Sequence, residues 1–200
     1  MSKPIKLFDP KIDDSEKRII NKVLYSHFWA SGEGTNYVRQ FENKFTEYID
    51  SDDCVSVNSG TAALNLALSA AKIENTEVIL PSLTFVSTAN AVMINGAKPV
   101  FADVDPINLC IDPQSIKKLI TKKTSVILPV HFAGMPCALN EIINICKEKN
   151  LTLVEDAAHA VGSKYKNKRI GKHGDFVCFS FHPVKNLAMP TGGIISINHK

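Results

Sequence analysis

Seven short runs of apolar and β-branched residues, at positions 54–57, 77–81, 99–103, 125–131, 151–155, 176–181 and 193–197, punctuate the chain, with helix-length segments between them. Within a run the apolar residues lack the in-and-out alternation of a half-solvated strand. Strands of that kind are buried on both faces, as in a parallel sheet covered by helices. The intervening segments are long enough for right-handed helical crossovers. Two helices have legible ends: Asp112 stands before Pro113, a capping side chain ahead of a proline at the first helical position, and Gly96 closes the segment 84–95. The expectation is a three-layer α/β/α domain with a mostly parallel seven-stranded sheet. Its last strand, 193–197, is expected to run antiparallel. Only about eleven residues, Pro183 and Pro190 among them, separate it from 176–181, which is short for a helical crossover.

The first fifty residues differ, with amphipathic helices around 15–23 and 37–49 joined by Trp29-Ala30-Ser31-Gly32-Glu33-Gly34. They read as an N-terminal helical arm over residues 1–50, leading into a domain over 51–200. A chain of 200 residues with 44% hydrophobic content can bury one sizeable core. The formal net charge of +3 arises from 23 basic and 20 acidic residues spread along the sequence, which gives no reason to expect a nucleic acid or an anionic membrane as partner. The densest basic stretch, 164–172, reads as a solvated loop. Cys54, Cys110, Cys137, Cys146 and Cys178 form no CxxC pair and no His/Cys spacing of a zinc site, so no metal is expected and they read as small core residues in a reducing compartment. With no hydrophobic leader and no apolar run near the ~20 residues that cross a bilayer, the expectation is a soluble cytoplasmic protein.

In open α/β sheets ligands bind beyond the carboxyl ends of the strands, and three features converge there. Gly60-Thr61 follows the first run and opens the helical segment 61–71. The free N–H groups and positive dipole end of such a helix make an anion site, although Asn58 and Ser59 would equally serve as an ordinary cap. Asp156 comes directly after 151–155. Glu155 competes for the same role, but alternation along a strand sends the two carboxylates to opposite faces. Lys185 follows 176–181, with Ser180 five residues before it and the turn-forming Pro183 between. A lysine that closes a buried strand, unlike one on a solvated surface, can have its amine desolvated and brought toward the neutral form.

Four blocks in order, Asn58-Ser59-Gly60-Thr61-Ala62-Ala63-Leu64, residues 81–91, residues 154–162 and Phe179-Ser180-Phe181-His182-Pro183-Val184-Lys185-Asn186-Leu187, resemble the sugar-aminotransferase branch of the fold-type-I pyridoxal-phosphate enzymes, the DegT/DnrJ/EryC1/StrS family. The resemblance runs from about Phe8 to the last residue. It implies pyridoxal 5′-phosphate bound covalently to Lys185 as an internal aldimine, with Asp156 keeping the pyridine nitrogen protonated so that the ring withdraws electrons. Lys185, once released, would carry a proton between the substrate and the cofactor. It further implies that Gly60, Thr61 and Ser180 hold the phosphate, that Phe85 stacks on the ring and that His159 contacts the ring face or its 3-oxygen. Read as residues alone, Phe85 is equally a core aromatic and Ser180 a strand serine bonded to backbone. His131 and His182 read as structural. Trp29, Ala30, Ser31 and Gly32 would lie near the substrate. Relatives continue into a smaller C-terminal domain, so a chain stopping at Lys200 reads as the large domain alone. One departure stands out: Ala188-Met189-Pro190-Thr191 precedes Gly192-Gly193 where relatives carry a glycine-rich, often acidic stretch.

The resemblance implies an aminotransferase that moves an amino group from an amino-acid donor, glutamate, onto a nucleotide-linked keto-deoxysugar for lipopolysaccharide O-antigen, other surface polysaccharide or glycoside synthesis, working as a homodimer. A sugar dehydratase of the same family is the alternative, disfavoured by Lys185 because those relatives carry histidine there. A non-catalytic large domain acting as a binding module is the rival from another class.

Overall fold

The computed structural model describes residue 6, residues 9–27 and residues 36–198. The elements in order are α1 (Asp14–Ser26), α2 (Asn36–Ile49), β1 (Asp53–Val57), α3 (Gly60–Ala70), β2 (Glu77–Pro81), α4 (Val86–Ile94), β3 (Lys98–Ala102), α5 (Pro113–Leu119), β4 (Thr124–Ile127), α6 (Leu139–Lys149), β5 (Thr152–Asp156), a hairpin of β6 (Lys164–Tyr165) and β7 (Lys168–Arg169), then β8 (Phe176–Ser180) and β9 (Gly193–Ile197). Seven strands form one sheet in the order β1-β9-β8-β5-β4-β2-β3. All neighbours are parallel except β9, which runs antiparallel to both β1 and β8. The expected architecture, including the reversed last strand, is what the chain adopts.

The missing alternation has its explanation in two cores. Val78, Leu80, Val126, Val154, Cys178 and Ile195 pack with Ala63, Leu64, Leu68, Ala91 and Val92 of α3 and α4. Their strand neighbours Ile79, Ile127, Leu153, Val177, Phe179 and Ile194 belong to the opposite core, with Phe45 and Ile49 of α2, Ile116 of α5 and Leu139, Ile142 and Ile145 of α6. Side chains still alternate across the sheet, but both faces meet apolar helices, so the sequence reads as a continuous apolar run. Thus α2, from the segment set apart as an arm, contributes Phe45 and Ile49 to the core beneath β8, where Phe45 packs edge-on against Phe179 at 5.2 Å. Helix α1 is closed by a capping box of Asp13 and Glu16 and buries none of its residues.

Several boundaries differ from expectation for local reasons. The run 125–131 yields a strand only over Thr124–Ile127, because Pro129 has no N–H for a ladder. The chain beyond keeps contact with β5 through Pro129 O, which accepts from Asp156 N–H at 2.9 Å, and through the His131 N–H, which donates to Asp156 O at 3.0 Å. Pro99 is tolerated inside β3 because that strand lies at the sheet edge and pairs only with β2. The basic stretch 164–172 is a hairpin rather than a plain loop. Lys166 and Asn167 take left-handed backbone angles at its turn, and Arg169 lies 4.2 Å over the Tyr48 ring and donates to Tyr48 O at 3.0 Å. All five cysteines are free and buried.

Candidate active site

At the carboxyl ends of β5 and β8 the sheet opens into a cleft of about 360 Å³, floored by Ser180 and Asp156 and walled by the first turns of α3 and α4. Gly60, Thr61, Phe85, Asp156, His159, Ser180 and Lys185, far apart in sequence, all line it. Trp29, Ala30, Ser31 and Gly32 lie outside the described residues.

The turn between β1 and α3 is formed by close packing. A Cβ on Gly60 would lie 2.7 Å from Ser180 Cβ, and one on Gly193 would lie 2.6 Å from the Ser59 carbonyl, so only glycine lets the turn sit directly on β8 and β9. Ser59 caps the helix, its Oγ accepting from Ala62 N–H at 3.1 Å while its carbonyl accepts from Ala63 N–H at 3.0 Å. The cap and the anion site are therefore compatible. Ser59 satisfies the third and fourth amides of the first turn, and helix geometry leaves those of Gly60 and Thr61 without an intrahelical acceptor, at the positive end of the helix dipole. Beneath them Ser180 is buried; its Oγ accepts from His182 N–H at 3.4 Å, which leaves its own proton to donate.

Asp156 completes the floor. Its Oδ2 accepts from Thr88 Oγ1 at 2.9 Å and its Oδ1 from Ala158 N–H at 3.1 Å, and Thr88 in turn accepts from Thr84 Oγ1 at 2.7 Å. Glu155 points to the opposite face, as strand alternation requires. It is fully buried, with Oε2 2.6 Å from His131 Nε2. His131 Nδ1 accepts from Cys137 N–H at 3.1 Å, which makes Nε2–H the donor to Glu155 and His131 structural. His182, also expected to be structural, instead stands exposed on the cleft rim with Nδ1 accepting from Val184 N–H at 3.4 Å.

Phe85 is 72% exposed at the N-terminus of α4, so the core reading is excluded and its ring is open to the cleft. Burial holds the Lys185 amine below the ordinary lysine range, with the nearby Asp156 charge opposing. The His159 ring is likewise pushed down, first by burial and then by the Lys185 charge, against a smaller pull from Asp156. His159 Nδ1 accepts from Ala133 N–H at 3.3 Å, so its other ring nitrogen carries the proton in the neutral form. The loop of residues 188–191 is tied down at the cleft's edge: Met189 N–H donates to Phe181 O at 2.8 Å and Thr191 Oγ1, which lines the cleft, to Asn58 O at 2.7 Å. In the sequence only the four-residue spacing of Thr84 and Thr88, one helical turn, marks this pair.

An amine eased toward neutrality, a tethered carboxylate with lone pairs to spare, an open aromatic face and an amide-lined turn define a cleft for a small ligand with an anionic end and a group that an amine can attack. The whole-chain comparison is more specific. The model of the DegT/DnrJ/EryC1/StrS aminotransferase family matches residues 10–200, and the chain belongs to that family. It is 40% identical over 199 residues to the GDP-perosamine synthase of Escherichia coli O157:H7, covering 99% of this chain and 54% of that protein. To the spore coat polysaccharide biosynthesis protein SpsC of Bacillus subtilis it is 42% identical over 188 residues, covering 94% of this chain and 48% of SpsC. The PLP-form of a putative sugar aminotransferase, Spr1654 from Streptococcus pneumoniae, superimposes with a TM-score of 0.92 at 29% identity, over 98% of this chain and 53% of that one. The chain spans about half the length of the curated relatives it matches. No described helix is long and apolar enough to cross a membrane.

Pyridoxal 5′-phosphate fits what is present. The missing Cβ of Gly60 lets the turn pack directly on Ser180, which brings the Ser180 hydroxyl beside the first amides of α3 as donors for a phosphate, and Asp156 keeps acceptor capacity beyond its two anchors.

Proposed function

We propose that this chain carries the cofactor site of a pyridoxal-phosphate-dependent sugar aminotransferase, one that passes an amino group from glutamate to the keto carbon of a nucleotide-linked deoxysugar. The observation that carries the reading is the convergence of Lys185, Asp156, Ser180 and the Gly60-Thr61 turn on one cleft, within a fold shared with the PLP-form neighbour.

In this reading the amides of Gly60 and Thr61 and the hydroxyls of Thr61 and Ser180 bind the phosphate, and Phe85 lies against the ring. Asp156 accepts a hydrogen bond from the ring nitrogen and holds the proton there. His159 donates from its protonated ring nitrogen. When bound, the cofactor supplies an electron sink for the carbanion left by removal of the α-proton. Lys185 would hold the cofactor through Nζ. Its Nζ would also serve as the base that holds and moves a proton beside the cofactor, a role suited to an amine that burial has brought toward neutrality. The reading places Trp29, Ala30, Ser31 and Gly32 beside the sugar nucleotide, and assigns the protein to the cytoplasm as a homodimer in surface-polysaccharide synthesis.

The test is borohydride reduction of the protein with pyridoxal 5′-phosphate, followed by peptide mapping, and a glutamate-dependent amination assay on a nucleotide-linked keto-sugar. The expected result is a pyridoxyl group on Lys185 and an aminated sugar. Labelling of another lysine overturns the assignment. Labelling of Lys185 without amination would make the chain a cofactor-binding module instead.

A further inference from the structure

We infer that Thr88, held by Thr84, is the positioning residue of the cleft, fixing the plane in which Asp156 presents its remaining lone pairs; this rests on the function proposed above. A threonine inside a helix ordinarily turns its hydroxyl back to the carbonyl four residues earlier. Thr88 does something else. The residue four positions before it is Thr84, whose hydroxyl donates to Thr88 Oγ1 at 2.7 Å, and Thr88 donates to Asp156 Oδ2 at 2.9 Å across 68 residues of sequence. Because Thr84 occupies the oxygen as a donor, the single proton of Thr88 is directed at the carboxylate, and the order of donors is set.

Asp156 is gripped from two elements, Oδ2 by α4 and Oδ1 by Ala158 N–H at 3.1 Å in the loop after β5. Two anchors on two oxygens remove rotation about the carboxylate's own axis. Of roughly four lone-pair sites on a carboxylate, two are left over on a residue that lines the cleft. The same first turn of α4 carries Phe85, 72% exposed into the cleft, so one rigid element sets both the stacking surface and the carboxylate. Thr88 itself is fully buried and lies behind Asp156, outside the cleft lining, and so acts through it.

The competing account is that Thr88 is a buried hydroxyl satisfied by whatever acceptor is near. Thr88→Val, Thr88→Ser, Thr84→Val and a control, Thr76→Val, separate the two. Thr76 pairs its hydroxyl with Ser125 Oγ at 2.7 Å at the opposite end of β2. The measurements are the dissociation constant of pyridoxal 5′-phosphate from the apo-protein, the pH at which the absorbance of the bound cofactor changes, the kcat and KM of amination, and the thermal midpoint. Thr88→Val is expected to weaken binding about tenfold, to move the spectral midpoint and to lower kcat with little change in KM, whereas Thr88→Ser stays within about twofold of the parent. Half-buried Thr84→Val, a milder change should Thr88→Val fail to fold, is expected to be about threefold weaker. Thr76→Val should lose stability without moving the spectrum. The inference is overturned if Thr88→Val and Thr84→Val bind and titrate like the parent, if serine fails to rescue, or if Thr76→Val shifts the spectrum as much. A parent protein that binds no pyridoxal 5′-phosphate would overturn the cofactor assignment itself, a separate result.

Discussion

Glu155 and Asp156 are consecutive carboxylates at the end of one strand, and the pleat sends them to opposite faces. Glu155 enters a sealed core, fully buried, with Oε2 on His131 and Oε1 without a hydrogen-bond partner among the described residues. Even Gly174 is pressed against it, since a Cβ there would lie 2.6 Å from Oε1. Asp156 is anchored at both oxygens yet opens onto a cleft shared with Lys185, whose amine it helps to keep charged against burial. Identical chemistry thus serves two purposes: a carboxylate enclosed with one partner holds strands together, and one tethered from behind keeps a face for a ligand. The contrast predicts that substitutions on the two sides fail in different currencies.

The largest effect belongs on the open side. Lys185→Ala removes the proposed covalent anchor and proton carrier while leaving the turn at Gly60 and the carboxylate in place, so the protein should still bind the cofactor and lose about a thousandfold or more of its amination rate. Retention of the parent rate would break the comparison at its root. Asp156→Asn comes next, with an expected loss of about a hundredfold in kcat, because a neutral partner no longer favours the protonated ring nitrogen. Its covalent link to Lys185 should persist, as read by borohydride labelling.

On the sealed side, Glu155→Ala strands the His131 Nε2–H in the core. Breaking a buried pair costs about 3 kcal/mol, which for a domain of this size lowers the thermal midpoint by roughly 10 °C. The fraction that remains folded should bind pyridoxal 5′-phosphate with the parent affinity. A Glu155→Ala protein of normal stability and impaired cofactor binding would reverse the roles assigned to the two carboxylates.

Much of this division was legible in the residues. Alternation alone placed Asp156 and Glu155 on opposite faces, and the short connection between Ser180 and Gly193 foretold the antiparallel β9. What stayed hidden depends on partners distant in sequence. Thr88 looks like any helical threonine until the fold brings Asp156 to it, and for Phe85, expected from the resemblance to stack on the ring but as a residue alone equally a core aromatic, only its exposure at the first turn of α4 removes the core alternative. Gly193 reads as half of a glycine pair, and only the crossing of β9 against Ser59 shows why a side chain has no room there. Strand ends were blurred where Pro129 and Pro99 act differently, one beyond the end of an inner strand and one inside an edge strand.

The smallest effect sharpens the open side further. His159 is held below its ordinary range first by burial, then by the charge of Lys185, with Asp156 pulling the other way, and its Nδ1 is engaged as an acceptor by Ala133 N–H, a bond the protonated ring cannot make. Since the folded value is the lower one, the unfolded chain binds more protons in the window between the folded value and the unfolded value near 6.5. Stability from this group is therefore unaffected above that window, falls as pH drops through it, and is fully lost below it. His159→Gln abolishes the dependence, so denaturation curves of parent and variant should diverge on acidification, with the parent losing more. Lys185→Ala should let the His159 titration, followed by its ring resonances in NMR, move upward only part of the way, because burial remains. A titration that does not move, or moves down, would mean that Lys185 and His159 do not share one electrostatic site, and the cleft would lose the coupling that sets it apart from the sealed pair behind the sheet.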